Sequence, residues 1–380
     1  FDQAFKSFAV WSENGFFKNE KTASGKQVGA DISFNKPDEK QTVVLKLGIS
    51  YVSLENARQN LNTEAGDYSF GEILHKTQNA WDENLALITI EGGTKEQQNT
   101  FYTALYHSLQ MPTVFNDVNG DFIGFDKKIH KTEGYRYFTD LSLWDTFRSV
   151  HPLYTLIKPK DQRDMMVSLV EMSKHGGGKL PRWPSGAGYT GSMLGASADI
   201  VLTEAYLKGI TDFDVETAYT AMRNVALDIE LPESKFNARR GAKEYLKYKY
   251  CPAEQMDEAV SKTLEYAYAD DAISKLATAL GKTDDAKLFH EHAQYYKNVW
   301  NPETQYFQAR NSDGLFVEKF DPLKLTYFDF TGEYTDDYVE GSALQWRWAL
   351  FFDPEGLISL FKSTDYFVSE LNDFFALSDS

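Results

Sequence analysis

The chain of 380 residues has a single cysteine, Cys251. One thiol excludes an intrachain disulfide and any metal site built on cysteine. Such scarcity fits a bacterial protein and leaves cytoplasm and periplasm equally open. No apolar run approaches the roughly 20 residues of a membrane span, so no membrane span is expected. Positive charge is short as well: 39 Lys and Arg against 56 Asp and Glu leave a formal net charge of -17. Nucleic acid and anionic membranes need a positive field, so neither is expected as a partner. Neutral sugars and cations such as Ca²⁺ are compatible with this balance, and so is plain solubility. Seven histidines, two of them in the His-x-His pair His290 and His292, form no His-Glu-x-x-His or comparable set, which argues against zinc. No Gly-x-Ser-x-Gly elbow occurs, so an α/β-hydrolase triad has no support. The run Gly176-Gly-Gly178 lacks the Gly-Lys-Ser/Thr ending and the Gly-x-Gly-x-x-Gly spacing of phosphate loops. The first residues, Phe1-Asp-Gln-Ala-Phe-Lys6, carry neither Met nor a signal-peptide pattern. They read as the middle of a strand, and the chain is expected to be cut at this end.

Aromatic residues are plentiful, at 15% of the chain with 22 Tyr, 27 Phe and 7 Trp. A surplus of this kind lines grooves as well as cores. The length suits two domains or one large one. Residues 1–52 read as β, from Phe5, Phe8, Val10 and the alternating run Thr42 to Tyr51, with a turn at 35–40. Residues 53–93 change to a helical period, beginning at a Ser53 cap, and form a helical connection. Residues 94–380 are mainly α, with helices expected at 100–110, 141–157, 161–174, 192–209, 213–229, 256–281, 284–300, 341–350, 355–362 and 366–376. Loops alternately short and long between helices of similar length suggest an α/α toroid, with a plain helical bundle as the alternative. The fold class is therefore α+β.

Four stretches carry chemistry. Leu141 to Arg148 (Leu-Ser-Leu-Trp-Asp-Thr-Phe-Arg) sets Trp144 and Arg148 four apart and Asp145 and Arg148 three apart, on one helix face. An indole beside a carboxylate suits a sugar, which stacks its C–H face and donates its hydroxyl protons. A core role for Trp144 and an ordinary Asp145–Arg148 ion pair fit equally. In the run Gly176 to Pro184, glycines and prolines fix a loop that displays Arg182 and Trp183, either at a sugar or as a solvated loop with a packed Trp. In Asp336 to Trp346, Glu340 stands where a loop becomes a helix. An aromatic, partly dry setting favours a protonated general acid; capping the helix near Ser342 is the plainer role. The run Lys262 to Ala272 crowds Glu265, Tyr266, Tyr268, Asp270 and Asp271 on one helix, as a site wall or as a core helix with an acidic face.

These stretches occur in the order of a known family. Tyr51 to Leu61, Ser142 to Leu153, Leu180 to Trp183, Ala205 to Gly209, Thr263 to Tyr268 and Tyr338 to Trp346 together resemble glycoside hydrolase family 92. The resemblance implies an N-terminal β-sandwich, of which 1–52 would be the last strands, then a helical linker at 53–93 and an (α/α)6-type toroid at 94–380. It implies a calcium-dependent inverting exo-α-mannosidase acting on mannose-containing glycans, periplasmic or extracellular. Glu340 falls on the general acid, Trp144 and Asp145 on the segment holding the mannose, and Arg182 and Trp183 on the rim near the sugar. The chain departs from the family in lacking the later Gly-Asn-Glu-Pro-like or Gly-His-Glu-Pro-like and Gly-Asp-Glu-Asp-like segments. The base and the calcium ligands are therefore expected beyond residue 380, the toroid is expected to be incomplete, and the chain alone is expected to be inactive. The alternatives are another inverting α/α-toroid glycosidase, trehalase-like or glucoamylase-like, and a non-catalytic glycan-binding protein.

Overall fold

The computed structural model describes residues 1–35, 42–237, 239–325 and 335–378. Most of the turn expected at 35–40 lies outside the described residues. The chain divides into two compact units, one of residues 1–86 with 117–119 and the other of 87–116 with 120–380.

The first unit holds strands β1 (Ser7–Ser12), β2 (Gly15–Lys18) and β3 (Val28–Ser33) in an antiparallel sheet of order β2-β1-β3. The strand expected at 42–51 does not form. Its alternation is real, with Leu45, Leu47, Ile49 and Tyr51 exposed. Among the described residues the run has no neighbouring ladder, and bonds such as Asp2 N to Val44 O (3.1 Å) hold it; a strand needs a partner for its backbone groups. Helices α1 (Leu54–Glu64) and α2 (Phe70–Leu85) start at serine caps, Ser53 accepting from Asn56 N (3.0 Å) and Ser69 forming a capping box with Glu72. Asp117 is buried against α1. Its carboxylate accepts from Ser50 Oγ (2.6 Å), Asn56 Nδ2 (2.8 Å) and Asn60 Nδ2 (2.7 Å).

The second unit begins with α3 (Lys95–Ser108). Two short ribbons follow, pairing β4 (Thr113–Val114) with β7 (Phe138–Thr139) and β5 (Asp121–Ile123) with β6 (Ile129–Lys131). The helix expected over 141–157 is two, α4 (Leu143–Thr146) and α5 (Val150–Ile157). Pro152 explains the break: inside a continuous helix its ring would strike the Arg148 carbonyl, whereas in the first turn of α5 its missing N–H costs nothing. Then come α6 (Pro159–His175), the hairpin β8 (Pro184–Ser185) and β9 (Gly188–Tyr189), α7 (Ser197–Leu207), α8 (Val215–Ala226) and α9 (Ala242–Tyr248). The unit closes with α10 (Ala259–Ala279), α11 (Thr283–His292), the ribbon β10 (Trp300–Asn301) with β11 (Tyr306–Phe307), α12 (Ala343–Trp346), α13 (Pro354–Leu360) and α14 (Thr364–Ser378). Small antiparallel sheets followed by many helices make the arrangement α+β, as expected.

Helix α10 organises the second unit. Sixteen of its 21 residues are buried, so it has no continuous solvent face. Alanines and Ile273, Leu276 and Leu264 pack all round it. The acidic face allowed for in the sequence is therefore largely internal, and its carboxylates need internal partners. Asp270 is fully buried and takes Arg239 Nη1 at 2.6 Å and Tyr245 Oη at 3.0 Å. Arg239 also reaches Asp199 of α7 at 3.4 Å. Burial pushes the Asp199 carboxyl up to about 7, against the pull of Arg239. Arg239 is thus the shared cation of two buried acids. Arg239→Met should lower unfolding free energy at pH 7 by about 3–5 kcal/mol, since both carboxylates lose their counter-charge. The loss should shrink toward pH 5, where the stranded acids take up protons. Urea melts at the two pH values test this; a loss under about 1 kcal/mol at pH 7 would show that the triad is not a closed ion cluster.

Candidate functional site

Glu340 stands on a backbone clamped from several sides. Val260 N donates to Asp337 O (3.1 Å), Val339 N donates to Ser261 Oγ (3.0 Å), and Trp346 Nε1 donates to Val339 O (2.9 Å). Tyr338 is buried and its hydroxyl donates to Phe307 O at 2.6 Å. Between these anchors Glu340 takes φ +44, a left-handed conformation that costs a non-glycine residue about 1–2 kcal/mol. The clamps hold it there. The α12 cap is made locally, with Gln345 Oε1 accepting from Ser342 N at 2.9 Å. Glu340 is therefore not spent on capping. Its side chain is exposed, not in the dry setting expected from the sequence.

The buried carboxyl of this region is Glu265, which the sequence left between wall and core. Only 5% of its surface is exposed. It packs on Gly195, where a Cβ would come within 2.8 Å of Glu265 Oε2 and where φ is +80, so this position requires glycine on two counts. Burial pushes the Glu265 carboxyl up to about 7, while Arg148 and Trp144 pull it down. Arg148 Nη2 lies 3.5 Å from Glu265 Oε1. The Trp144 indole N–H sits beside the same carboxyl without reaching hydrogen-bond geometry.

This corrects the reading of the α4 face. Among the described residues Asp145 and Arg148 form no ion pair. Arg148 turns to α10 instead, with its guanidinium carbon 4.8 Å from the Trp144 ring centre and 4.7 Å from that of Phe147. Trp144 is half-buried, packing on the core and presenting part of its surface, so core and site roles coincide in one ring. Asp145 is exposed on the same turn.

A cavity of about 310 Å³ brings Trp144 and Arg148 together with Glu340. Trp144, Trp346, Trp348 and Phe374 line it, with Arg148 and Glu340 as its charged side chains. Its walls are mainly apolar, with a few convergent polar groups, the usual composition of a small-ligand site. Glu340 is the one carboxylate among the lining residues.

Arg182 and Trp183 are not in this lining. Contrary to expectation, Arg182 is not displayed: it is 5% exposed and folds back on its own loop. Its Nε donates to Ser192 O at 3.0 Å and its Nη2 to Gly191 O. A buried guanidinium must satisfy its donors, and two carbonyls left free by an irregular loop supply the acceptors. Trp183 is half-buried, and its carbonyl accepts from Thr190 N at 3.2 Å. Among the described residues no group of three or more His, Cys, Asp or Glu side chains is disposed to hold a metal ion, so these residues do not fit a calcium ligand set.

Comparison with known proteins shows what the chain as a whole resembles. An uncharacterized secreted glycosidase of Arthroderma benhamiae is 26% identical over 312 residues, which is 77% of this chain and 34% of that protein. A family GH92 inverting mannosidase of Bacteroides thetaiotaomicron superposes with a TM-score of 0.85 at 29% identity, over 97% of this chain and 48% of that one. A family GH92 α-mannosidase of the same organism, solved also with mannoimidazole, superposes with a TM-score of 0.82 at 30% identity, over 98% and 48%. The chain thus spans about half the length of these structures and about a third of the secreted glycosidase. With the catalytic-domain model of glycosyl hydrolase family 92 matching residues 56–380, the chain belongs to that family.

Proposed function

We propose that this segment carries the acid side of an α-mannosidase site that releases terminal α-linked mannose from glycans. One observation carries the reading: a single carboxylate, Glu340, on the wall of a cavity with three indoles, Trp144, Trp346 and Trp348. An indole stacks on the apolar C–H face of a pyranose. A carboxyl fixed on clamped backbone is placed to protonate a departing glycosidic oxygen. The exposed Asp145 on the Trp144 turn would accept protons from sugar hydroxyls. Trp183 is kept as a rim contact, whereas Arg182 acts from behind, by fixing the 182–192 loop.

Single-displacement inversion needs a second carboxyl roughly 6.5–9.5 Å from the first, with water between them. The cavity lining supplies one, so the proposal takes the base from outside this chain, as it does any calcium ligands. A secreted relative supports a periplasmic or extracellular setting for the protein.

Glu265 supports the site from beneath by holding Arg148 against Trp144. With its carboxyl pushed up to about 7 from an ordinary 4.5, the folded chain keeps a proton between those values that the unfolded chain releases. This group therefore subtracts stability as pH rises through that window. Glu265→Gln, uncharged throughout, should flatten part of the fall in Tm between about pH 5 and pH 8. An unchanged Tm profile would show that Glu265 titrates as an ordinary surface acid.

Glu340 is tested in a protein that joins this segment to the rest of the catalytic domain. Glu340→Gln should cut turnover of mannosides with poor leaving groups by about 10²–10⁴ and that of activated aryl mannosides far less. Equal losses on both would remove Glu340 from the acid role. The 380-residue chain by itself should hydrolyse neither substrate; detectable release of mannose by a preparation free of longer protein would overturn the division of the site.

A further inference from the structure

The Gly176–Gly178 run serves a second place in the fold. Gly177 and Gly178 have φ +84 and +88, and a Cβ on Gly177 would come within 2.6 Å of the Glu233 carbonyl oxygen. Only glycine lets this strip lie against the 231–236 loop, where Lys235 N donates to Gly176 O at 2.7 Å and Asn224 Nδ2 to Gly178 O at 2.9 Å. The strip delivers the next residue, Lys179, into the wall of a pocket of about 410 Å³.

Lys179 is 7% exposed and has no hydrogen-bond or ion-pair partner among the described residues. A lysine this buried is normally paired. Arg240 and Lys243 line the same pocket, and neither meets a carboxylate within ion-pair distance among the described residues. Arg239, also in the wall, is already matched by Asp270 and Asp199. Asp228 and Glu244 stand in the lining too, out of ion-pair reach of these cations. Lys179 and Lys243, without partners among the described residues, therefore meet Arg240, whose Nη2 donates only to the neutral carbonyl of Gly191 (2.7 Å) and, at 3.5 Å, that of Met193, in one concavity of a chain whose net charge is -17.

We propose that this pocket binds a compact oxyanion, a phosphate or a carboxylate, with Lys179 as its buried counter-charge. Asn237 and the backbone around Gly241 add polar groups to the wall. The proposal is independent of the mannosidase reading, since the pocket shares no lining residue with the cavity at Glu340.

Isothermal titration of the 380-residue chain with inorganic phosphate and, separately, with glucuronate tests it. Saturable one-to-one binding that weakens with added salt is expected for at least one of them. Tighter phosphate binding would assign the site to phosphate esters, and tighter glucuronate binding to uronic acids. Lys179→Met keeps the aliphatic stem and removes the charge, so it should weaken binding by about tenfold or more with Tm equal to or above that of the parent. Should that variant fail to fold, Arg240→Gln with Lys243→Met is expected to give the same loss. Absence of saturable binding by either anion, or binding untouched by these substitutions, would overturn the proposal.

Discussion

A helix with no continuous solvent face sets the terms for the rest of the second unit. Burying α10 presses its polar side chains to find partners in the protein, and four of them find partners on different segments. Ser261 accepts from the backbone next to Glu340. Thr263 Oγ1 accepts from Cys251 N at 2.9 Å. Glu265 takes Arg148, and Asp270 takes Arg239. One turn after another, the helix converts its desolvation problem into tethers. Two of those tethers hold the two sides of the cavity, the acid loop at Ser261 and, through Arg148, the turn that carries Trp144 at Glu265. The distance between Glu340 and Trp144 is therefore governed by a rigid spacer, which suits a site that must hold a sugar ring against an acid.

The two arginines that this helix holds are held differently, and the difference fits their settings. Arg239 is fully buried and 2.6 Å from Asp270, with a second acid at 3.4 Å. Arg148 is a third exposed and stands 3.5 Å from Glu265. A closed triad is hard to disturb, because removing any member strands a buried charge. An open pair leaves guanidinium donors free to face the cavity, and leaves a buried acid whose proton comes and goes near neutral pH. The former is the arrangement of a closed structural tie, the latter of a looser one whose guanidinium also lines the cavity.

Features resolved within a few residues could be read from the sequence. The Ser53 cap, the extent of α10 and the loop-to-helix change near Glu340 depend on near neighbours alone. Features that depend on a distant partner could not. Thr42 to Tyr51 alternates as a strand should, but alternation does not supply the neighbouring ladder that makes one. Arg182 follows glycines and a proline that suggest display, yet the carbonyls of Gly191 and Ser192, released by the same irregular loop, draw it inward. Glu265 was visible only as one acid among several on a crowded helix; its burial and its tie to Arg148 arise from chain segments far apart. The ordered family motifs grouped Trp144 with Glu340, and the two line one cavity, because a motif encodes distant contacts that spacing cannot. The same motifs left Arg148 unassigned.

Averages over the chain misjudge both pockets. A net charge of -17 excludes anionic partners only if the charge is spread evenly, and at Lys179 it is not. Glycine at 177 is what permits the exception: with any side chain there, the strip would stand off the 231–236 loop and Lys179 would reach solvent like any other lysine. The cavity at Glu340 shows the converse. Its walls are nearly uncharged in a strongly acidic chain, with one carboxylate and one guanidinium against three indoles. A neutral, many-hydroxylled ring meets little desolvation cost there, whereas a second charge on the ligand would meet apolar walls on most sides. The two concavities would therefore favour opposite ligands under the two proposals, the one by its unpaired lysines and the other by its apolar walls.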